Sequence, residues 1–330
     1  MAYTLLADVI VPEVILNYTK QNSAEKTALI NSGIAGPVDG VVVPDGGDSV
    51  VVPFFNDLQG DLQMMQTDTE ITVNKVTTGA DVARVLYPAA AWGSEDLAAD
   101  LAGADPMELI ADRIMAYWDR QLQKVLIAQL QGVFADNLST NDGDLVLDIA
   151  SEDFDAETTP ANFLLDGNSV LDGKQLLGDA QTLFTGMAVH SRVYTNLQKN
   201  NLIEFIPESK NDVGFGTYLG KYAVIVDDSL PVEDGVTSGT KYTTFLFAKN
   251  AVAYNEGNVK VPLEVARDAG KSRDALYSRK RFIMHPRGIK WVEGSVAGDT
   301  PEVGELKLAA NHSRVFDKKH IRIAMIISNG

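Results

Sequence analysis

Ala269-Gly270-Lys271-Ser272 carries the glycine, lysine and hydroxyl that close a phosphate-binding loop, in which backbone amides wrap the phosphate and the lysine reaches its oxygens. Such a loop needs a second glycine five positions earlier, where Val265 stands, so the segment reads as a turn between two strands. Gly214-Phe215-Gly216-Thr217-Tyr218-Leu219-Gly220 misses the dinucleotide-loop spacing by one residue and follows no clear strand. It reads as a flexible loop. The four histidines, His190, His285, His312 and His320, form no His-x-x-x-His or Glu-x-x-His pair that would set two metal ligands on one helix face. Gly167-Asn168-Ser169 lacks the second glycine of a nucleophile elbow, and no basic partner for Ser169 is identifiable. Asp142, Asp144 and Asp148 offer calcium-type oxygens, but the glycine of the sharp turn is misplaced. The absence of cysteine removes disulfides, thiolate metal sites and thiol nucleophiles together. No catalytic, cofactor-binding or metal residue is therefore assigned.

Charge says more than any of these motifs. The 330 residues hold 45 acids against 28 bases, a net of -17, so a broad attractive surface for a nucleic-acid backbone is not expected. The acids concentrate between Val133 and Gly173, where ten occur and no lysine or arginine. Between Lys260 and Lys290 the balance reverses, with nine bases against three acids. These opposite blocks can neutralise one another within the fold, or across a repeated contact in which every copy offers both signs. Hydrophobic residues make up 45% of the chain, enough for a large core and two lobes. No stretch approaches the ~20 apolar residues of a membrane span, and the start lacks the pattern of a signal peptide.

The elements follow from spacing. Asp105 as N-cap, Pro106 at the first helical position and Glu108 in a capping-box place open a helix predicted over Asp105 to Val133. Met107, Ile110, Ile114, Trp118, Leu122, Val125, Leu126 and Leu130 give it one apolar stripe. At roughly 40 Å this helix can serve as a spine between lobes. Before it, residues 1–50 read as an arm with a helix near Asn22 to Asn31. Val50-Val51-Val52, Ile71-Thr72-Val73 and Val82 to Tyr87 read as strands of a long projecting hairpin, with a turn at Gly79-Ala80-Asp81.

After the spine, a helix near Gly173 to Phe184, a strand Gly186 to His190, a helix near Ser191 to Asn200 and strands at Lys221 to Val226 and Tyr242 to Phe247 make an α/β lobe. Strands are also expected at Val261 to Ala266 and Tyr277 to Met284. Ile321, Ile323, Met325 and Ile327 mark a last strand that docks into a sheet.

This order of parts resembles the major capsid protein of tailed bacteriophages, the HK-97-type fold. The likeness is carried by Ala7-Asp8-Val9-Ile10-Val11-Pro12-Glu13-Val14, Gly186-Met187-Ala188-Val189-His190-Ser191, Phe247-Ala248-Lys249-Asn250-Ala251, Arg279 to Trp291, and Asp317-Lys318-Lys319-His320-Ile321-Arg322-Ile323. The resemblance implies an α+β chain with six parts. An N-terminal arm spans 1–50 and an extended loop 51–101 reaches over a neighbour. The peripheral domain takes its spine helix from 102–134 and its strands from 259–302. The axial domain spans 135–258 and is closed by 303–330.

It further implies a non-enzymatic protein, many copies of which form the hexamers and pentamers of an icosahedral head around double-stranded DNA. The DNA is enclosed without sequence-specific binding or a membrane. Portal and scaffolding proteins are the expected partners, with a decoration protein as a further one, and assembly in the host cytoplasm leads to the virion capsid. Lys75, Arg84, Arg267, Arg273, Arg281 and Arg287 are the candidates for contacts between copies. Some members crosslink through a lysine on the extended loop. Lys75 is the one lysine between 52 and 101, and no acid or asparagine partner for it is identifiable. An encapsulin-like compartment shell and an α/β hydrolase or nucleotide-binding enzyme are the alternatives.

Overall fold

The computed structural model describes residues 27–65, 70–102, 106–155, 161–200, 203–205, 216–218, 222–236 and 238–330. The arm's apolar stretch around Val9 to Leu16, the first half of the predicted helix at 22–31 and the Asp105 cap lie outside these residues, and 27–31 holds a turn in place of an α-helix. A 3-10 turn, Ile30–Ser32, leads into β1 (Ala35–Gly36), β2 (Ser49–Phe55), β3 (Thr78–Leu86), β4 (Ala89–Glu95) and α1 (Asp96–Ala102). The spine is α2 (Pro106–Thr140), followed by β5 (Val146–Asp148), α3 (Gly167–Gln175), β6 (Gly186–Val189) and α4 (Ser191–Lys199). Short strands β7 (Ile203–Phe205), β8 (Gly216–Tyr218), β9 (Tyr222–Val226) and β10 (Val232–Asp234) precede β11 (Thr240–Phe247) and β12 (Val252–Glu256). The chain continues through β13 (Leu263–Asp268), β14 (Arg273–Arg279), β15 (Phe282–Pro286), β16 (Ile289–Trp291), β17 (His312–Arg314) and β18 (Ile323–Asn329).

Three sheets of three or more strands organise the described residues. One runs β5-β18-β11-β6-β9-β8-β7, with β10 added beside β11; the second runs β1-β12-β15-β3-β2; the third is β13-β14-β4. β18 lies inside the first sheet, antiparallel to β11 and parallel to β5. Both of its faces are buried, with Ala324 and Ile326 as enclosed as Ile323, so the alternate-residue pattern read from the sequence captures half of its burial.

The spine has two different ends. Trp118, Leu122, Val125, Leu126, Leu130, Val133 and Phe134 are buried, and Phe134 stacks on Phe245 of β11 at 5.7 Å. Met107, Ile110 and Ile114 of the same stripe are half-exposed, while Leu109 and Met115 face solvent. The helix runs 35 residues, about 52 Å, seven positions past the predicted Val133. Its extension carries the buried polar residues Asp136 and Asn137, which break the apolar pattern. Termination is chemical. Asn137 donates to Asp144 (2.8 Å) and accepts from the Leu145 amide, while Asp142 and Gly143 turn the chain at positive φ.

Gly132 lets the spine approach its neighbours, since a Cβ there would meet the Leu306 carbonyl oxygen at 2.1 Å and the His312 ring at 2.3 Å. Gln123 and Trp118 tie the helix to both lobes, through Asp227 (2.7 Å) and Ser278 (2.9 Å) respectively.

Several expected elements shift. Gly79-Ala80-Asp81 is not a turn but the start of β3, paired with Phe54, Pro53 and Val52 of β2. Ile71-Thr72-Val73 forms no strand. The helix expected near Gly173 begins at Gly167, where Asp166 caps it through the Ser169 amide and hydroxyl, and it gives way to a 3-10 turn at Gly178–Leu183. Gly216–Tyr218, within the presumed glycine loop, is a strand; the rest of that loop lies outside the described residues.

Candidate assembly surface

The β2–β3 hairpin is built from a half-buried root and an uncovered far end. At the root, Ala83 and Val85 join Val41, Ala253 and Ile283 in a small core of their own, and β3 pairs with β15 through Leu86 and Val85. Asp81 locks this root: its carboxylate faces His285 Nε2 at 2.9 Å and accepts the Gly288 amide at 3.0 Å, all out of solvent. Arg84, equally buried, forms ion pairs with Asp48 and with Glu293 (3.0 Å) and donates to the Asp299 carbonyl. Phe54 packs edge-on against Phe316, over a Gly79 that has no room for a side chain.

Beyond the last rung, where Asn56 bonds Thr77 through backbone and side chain, residues 56–77 form no regular element among those described. Gln63 bridges the two limbs by donating to and accepting from the Thr72 backbone. Phe55, Leu58, Leu62, Met64, Met65, Ile71, Val73 and Val76 are all exposed here, Val73 at 92%. Large apolar side chains crowded on one segment are not a normal free surface. Covering each would contribute roughly 1.5–3 kcal/mol.

Two further surfaces share this character. Every residue of β13 is exposed, with Leu263 and Val265 on one face, and among the described residues β14 alone pairs with it, so its other edge offers backbone groups unpaired by any of them. The first three turns of α2 add Leu109 and Met115.

Of the predicted contact residues, Lys75 stands exposed on the 56–77 connection. Arg267 is half-exposed and clamps Asp96 with both guanidinium nitrogens while reaching Asp274 at 2.7 Å; this holds the Asp96 carboxyl below its ordinary range. Arg273 forms an ion pair with Glu95, its cross-strand neighbour. Arg281 is buried over the Tyr87 ring. Burial and the neighbouring Arg322 lower the proton affinity of Arg287. The basic block therefore finds its carboxylates close by, at Glu95, Asp96, Glu256 and Glu264, rather than in the acidic block. That acidic block is met by other bases: Arg314 pairs with Asp144, and Lys241 with Glu152.

The chemical candidates resolve into structural roles. Ala269 to Ser272 is the β13–β14 turn, closed by the Lys271 amide on the Asp268 carbonyl. His190 caps α4 by accepting the Arg192 amide, and His312 donates to the Leu306 carbonyl. Burial pushes the His312 pKa down to about 4. Asp144 belongs to the helix cap, and no cluster of three acid or histidine side chains suited to a metal occurs among the described residues. The Asp81–His285 pair and the Asp227 hub, which also takes the Leu29 amide at 3.4 Å, escaped the sequence reading. Their partners lie 204 and 198 positions away, and no local spacing signals them.

No family model matches the chain. Over 328 residues, 98% of this chain and 97% of the relative, it is 39% identical to the major capsid protein of Bacillus phage SPP1. Among solved structures, the capsid of Ralstonia phage GP4 superposes with a TM-score of 0.61 at 10% identity, covering 97% of this chain and 96% of that one. The capsid of cyanophage Pam1 gives 0.59 at 11% identity, with 96% of each chain covered. At these identities the structural matches establish the fold, which is the HK-97 type.

Proposed function

The chain belongs to the bacteriophage major capsid proteins, a structural component of the virion shell, and on that premise we propose how its surfaces build that shell. Many copies assemble. In our reading they form hexamers and pentamers of an icosahedral head enclosing double-stranded DNA, with portal, scaffolding and decoration proteins as partners and assembly in the host cytoplasm. The kinship favours a phage head over an encapsulin-like compartment or an α/β enzyme, and the role needs no catalysis.

The observation that carries this reading is the run of exposed apolar side chains from Phe55 to Val76. A single copy gains nothing by displaying them, whereas a neighbour that covers them offsets the entropy of ordering the segment. We divide the chain accordingly: arm 1–50, extended loop 51–101, peripheral spine 102–134 and strands 259–302, axial domain 135–258 with 303–330. Lys75, exposed on the 56–77 connection, is the contact residue with free reach, and Arg267 would meet a neighbour only from its clamp on Asp96 and Asp274. Arg84, spent inside the chain, and Arg273 and Arg287 would act on contacts by holding the hairpin root and the β13–β14–β4 sheet in place, while Arg281 lines a cleft without a carboxylate partner among the described residues. The net charge of -17 suits a wall past which packaged DNA slides.

Negative-stain microscopy and size-exclusion chromatography of purified protein test the reading. Capsomers, shells or tubes are expected, and a protein that stays monomeric under all assembly conditions would refute it.

A further inference from the structure

A cleft of ≈ 390 Å³ opens at the hairpin root, between the segment Asp45-Gly46-Gly47, the β3–β4 junction and residues 258–260 and 279–281. Four bases line it: Lys260, Arg279, Lys280 and Arg281. Two are neutralised within the chain, Arg279 by Glu264 (3.0 Å) and Lys280 by Glu256 (2.7 Å). Arg281 is not. Its residue is 8% exposed, it donates to the Asp45 and Gly47 carbonyls over long bonds of 3.3 Å, and its buried Nε has no acceptor. Asp45, the one acid of the lining, offers Arg281 its main-chain oxygen, and among the described residues no carboxylate pairs with this guanidinium. Lys260 stands exposed in the same lining.

A buried guanidinium without a counter-charge costs several kcal/mol, so a site that keeps one is incomplete until an anion arrives. We infer that the cleft receives an acidic side chain from a second copy of this chain, with Arg281 as the buried cation and Lys260 as the outer one. This rests on the reading that copies assemble. An Asp or Glu side chain can enter a cleft of this volume and meet the planar guanidinium with two oxygens, whereas the phosphates of a duplex lie on a stiff convex rod and would meet the exposed Lys260 before the buried Arg281. The chain's own surplus of acids supplies the ligand at one site per copy.

The test compares wild type with Arg281→Met, and with Lys260→Glu as an exposed change that leaves the fold intact. Unassembled proteins are melted by circular dichroism, and the concentration for half-assembly is measured for empty shells and for DNA-filled ones. Expected is an unassembled Arg281→Met protein as stable as wild type or more so, with half-assembly requiring about tenfold more protein for either variant, filled or empty. A lowered melting temperature with unchanged assembly would make Arg281 a brace for residues 45–47 only and overturn the inference. So would a defect confined to DNA-filled particles, which would assign the cleft to phosphate. Wild-type protein that never assembles would remove the capsid reading itself, whereas wild-type shells matched by both variants would remove this inference alone.

Discussion

Asp81 Oδ1 lies 2.9 Å from His285 Nε2, joining the first half of β3 to β15 across 204 residues at the point where the hairpin leaves the body. The second carboxylate oxygen holds the Gly288 amide at 3.0 Å, in a turn that needs positive φ at Gly288. Asp81→Ala would strand two buried donors at once. A loss of about 3 kcal/mol in chemical denaturation is expected. Asp81→Asn, which keeps one acceptor, should lose less. Equal stability of all three proteins would show that the hairpin root is held by its apolar contacts alone.

Gly132→Ala sets helix propensity against packing. Alanine favours the helix by ~1 kcal/mol, but its methyl would meet a backbone oxygen and a buried ring, and crowding of that kind costs about 1–3 kcal/mol or more. A net destabilisation is predicted, read as a lower denaturation midpoint with an unchanged slope. A stabilised variant would mean that the 305–312 segment moves aside freely.

Acid should weaken the fold through His312. Its folded pKa of about 4 lies below the ordinary value of 6.5 because burial disfavours the imidazolium, so below pH 6.5 the unfolded chain binds the extra proton. The stabilisation is whole above 6.5 and is lost as pH falls toward 4, by about 3 kcal/mol at most. His312→Asn should remove this share of the slope between pH 6.5 and 4. Identical slopes for the two proteins would remove His312 from the account.

Leu58, Leu62 and Met65 are more than three-quarters exposed, so replacing all three by serine should leave the unassembled protein within about 0.5 kcal/mol of wild type. Shell yield, scored by sedimentation and microscopy, should collapse. Normal shells from the triple variant would discard the 56–77 connection as an assembly surface.

Legibility in the sequence followed locality. The strand at Gly186 and the helix after His190 stand where period and turn signals put them, within a residue at each end. The spine was visible from Pro106 onward, but its far end was hidden because Asp136 and Asn137 turn inward to hydrogen bonds instead of outward to water. The hairpin misled more deeply. Gly79-Ala80-Asp81 has the composition of a turn, yet its true partner, Val52-Pro53-Phe54, lies across a connection with no periodicity of its own. Projection of this region was expected from the resemblance, but which of its apolar side chains stand exposed could not be read, since an apolar residue awaiting a neighbour looks in sequence like one already in a core. The charge blocks were real, but which carboxylate meets which base depended on strand register, as with Arg273 opposite Glu95.

The interior place of β18 bears on timing. The β5 edge and the β11–β6–β9 half of the large sheet have no direct rung between them; residues 323–329 are the rung. While a ribosome is still making the chain, those two halves must wait apart, and α3, which packs near β18, waits with them. A copy lacking residues 323–329 thus holds an unfinished lobe, with nothing to join its two halves.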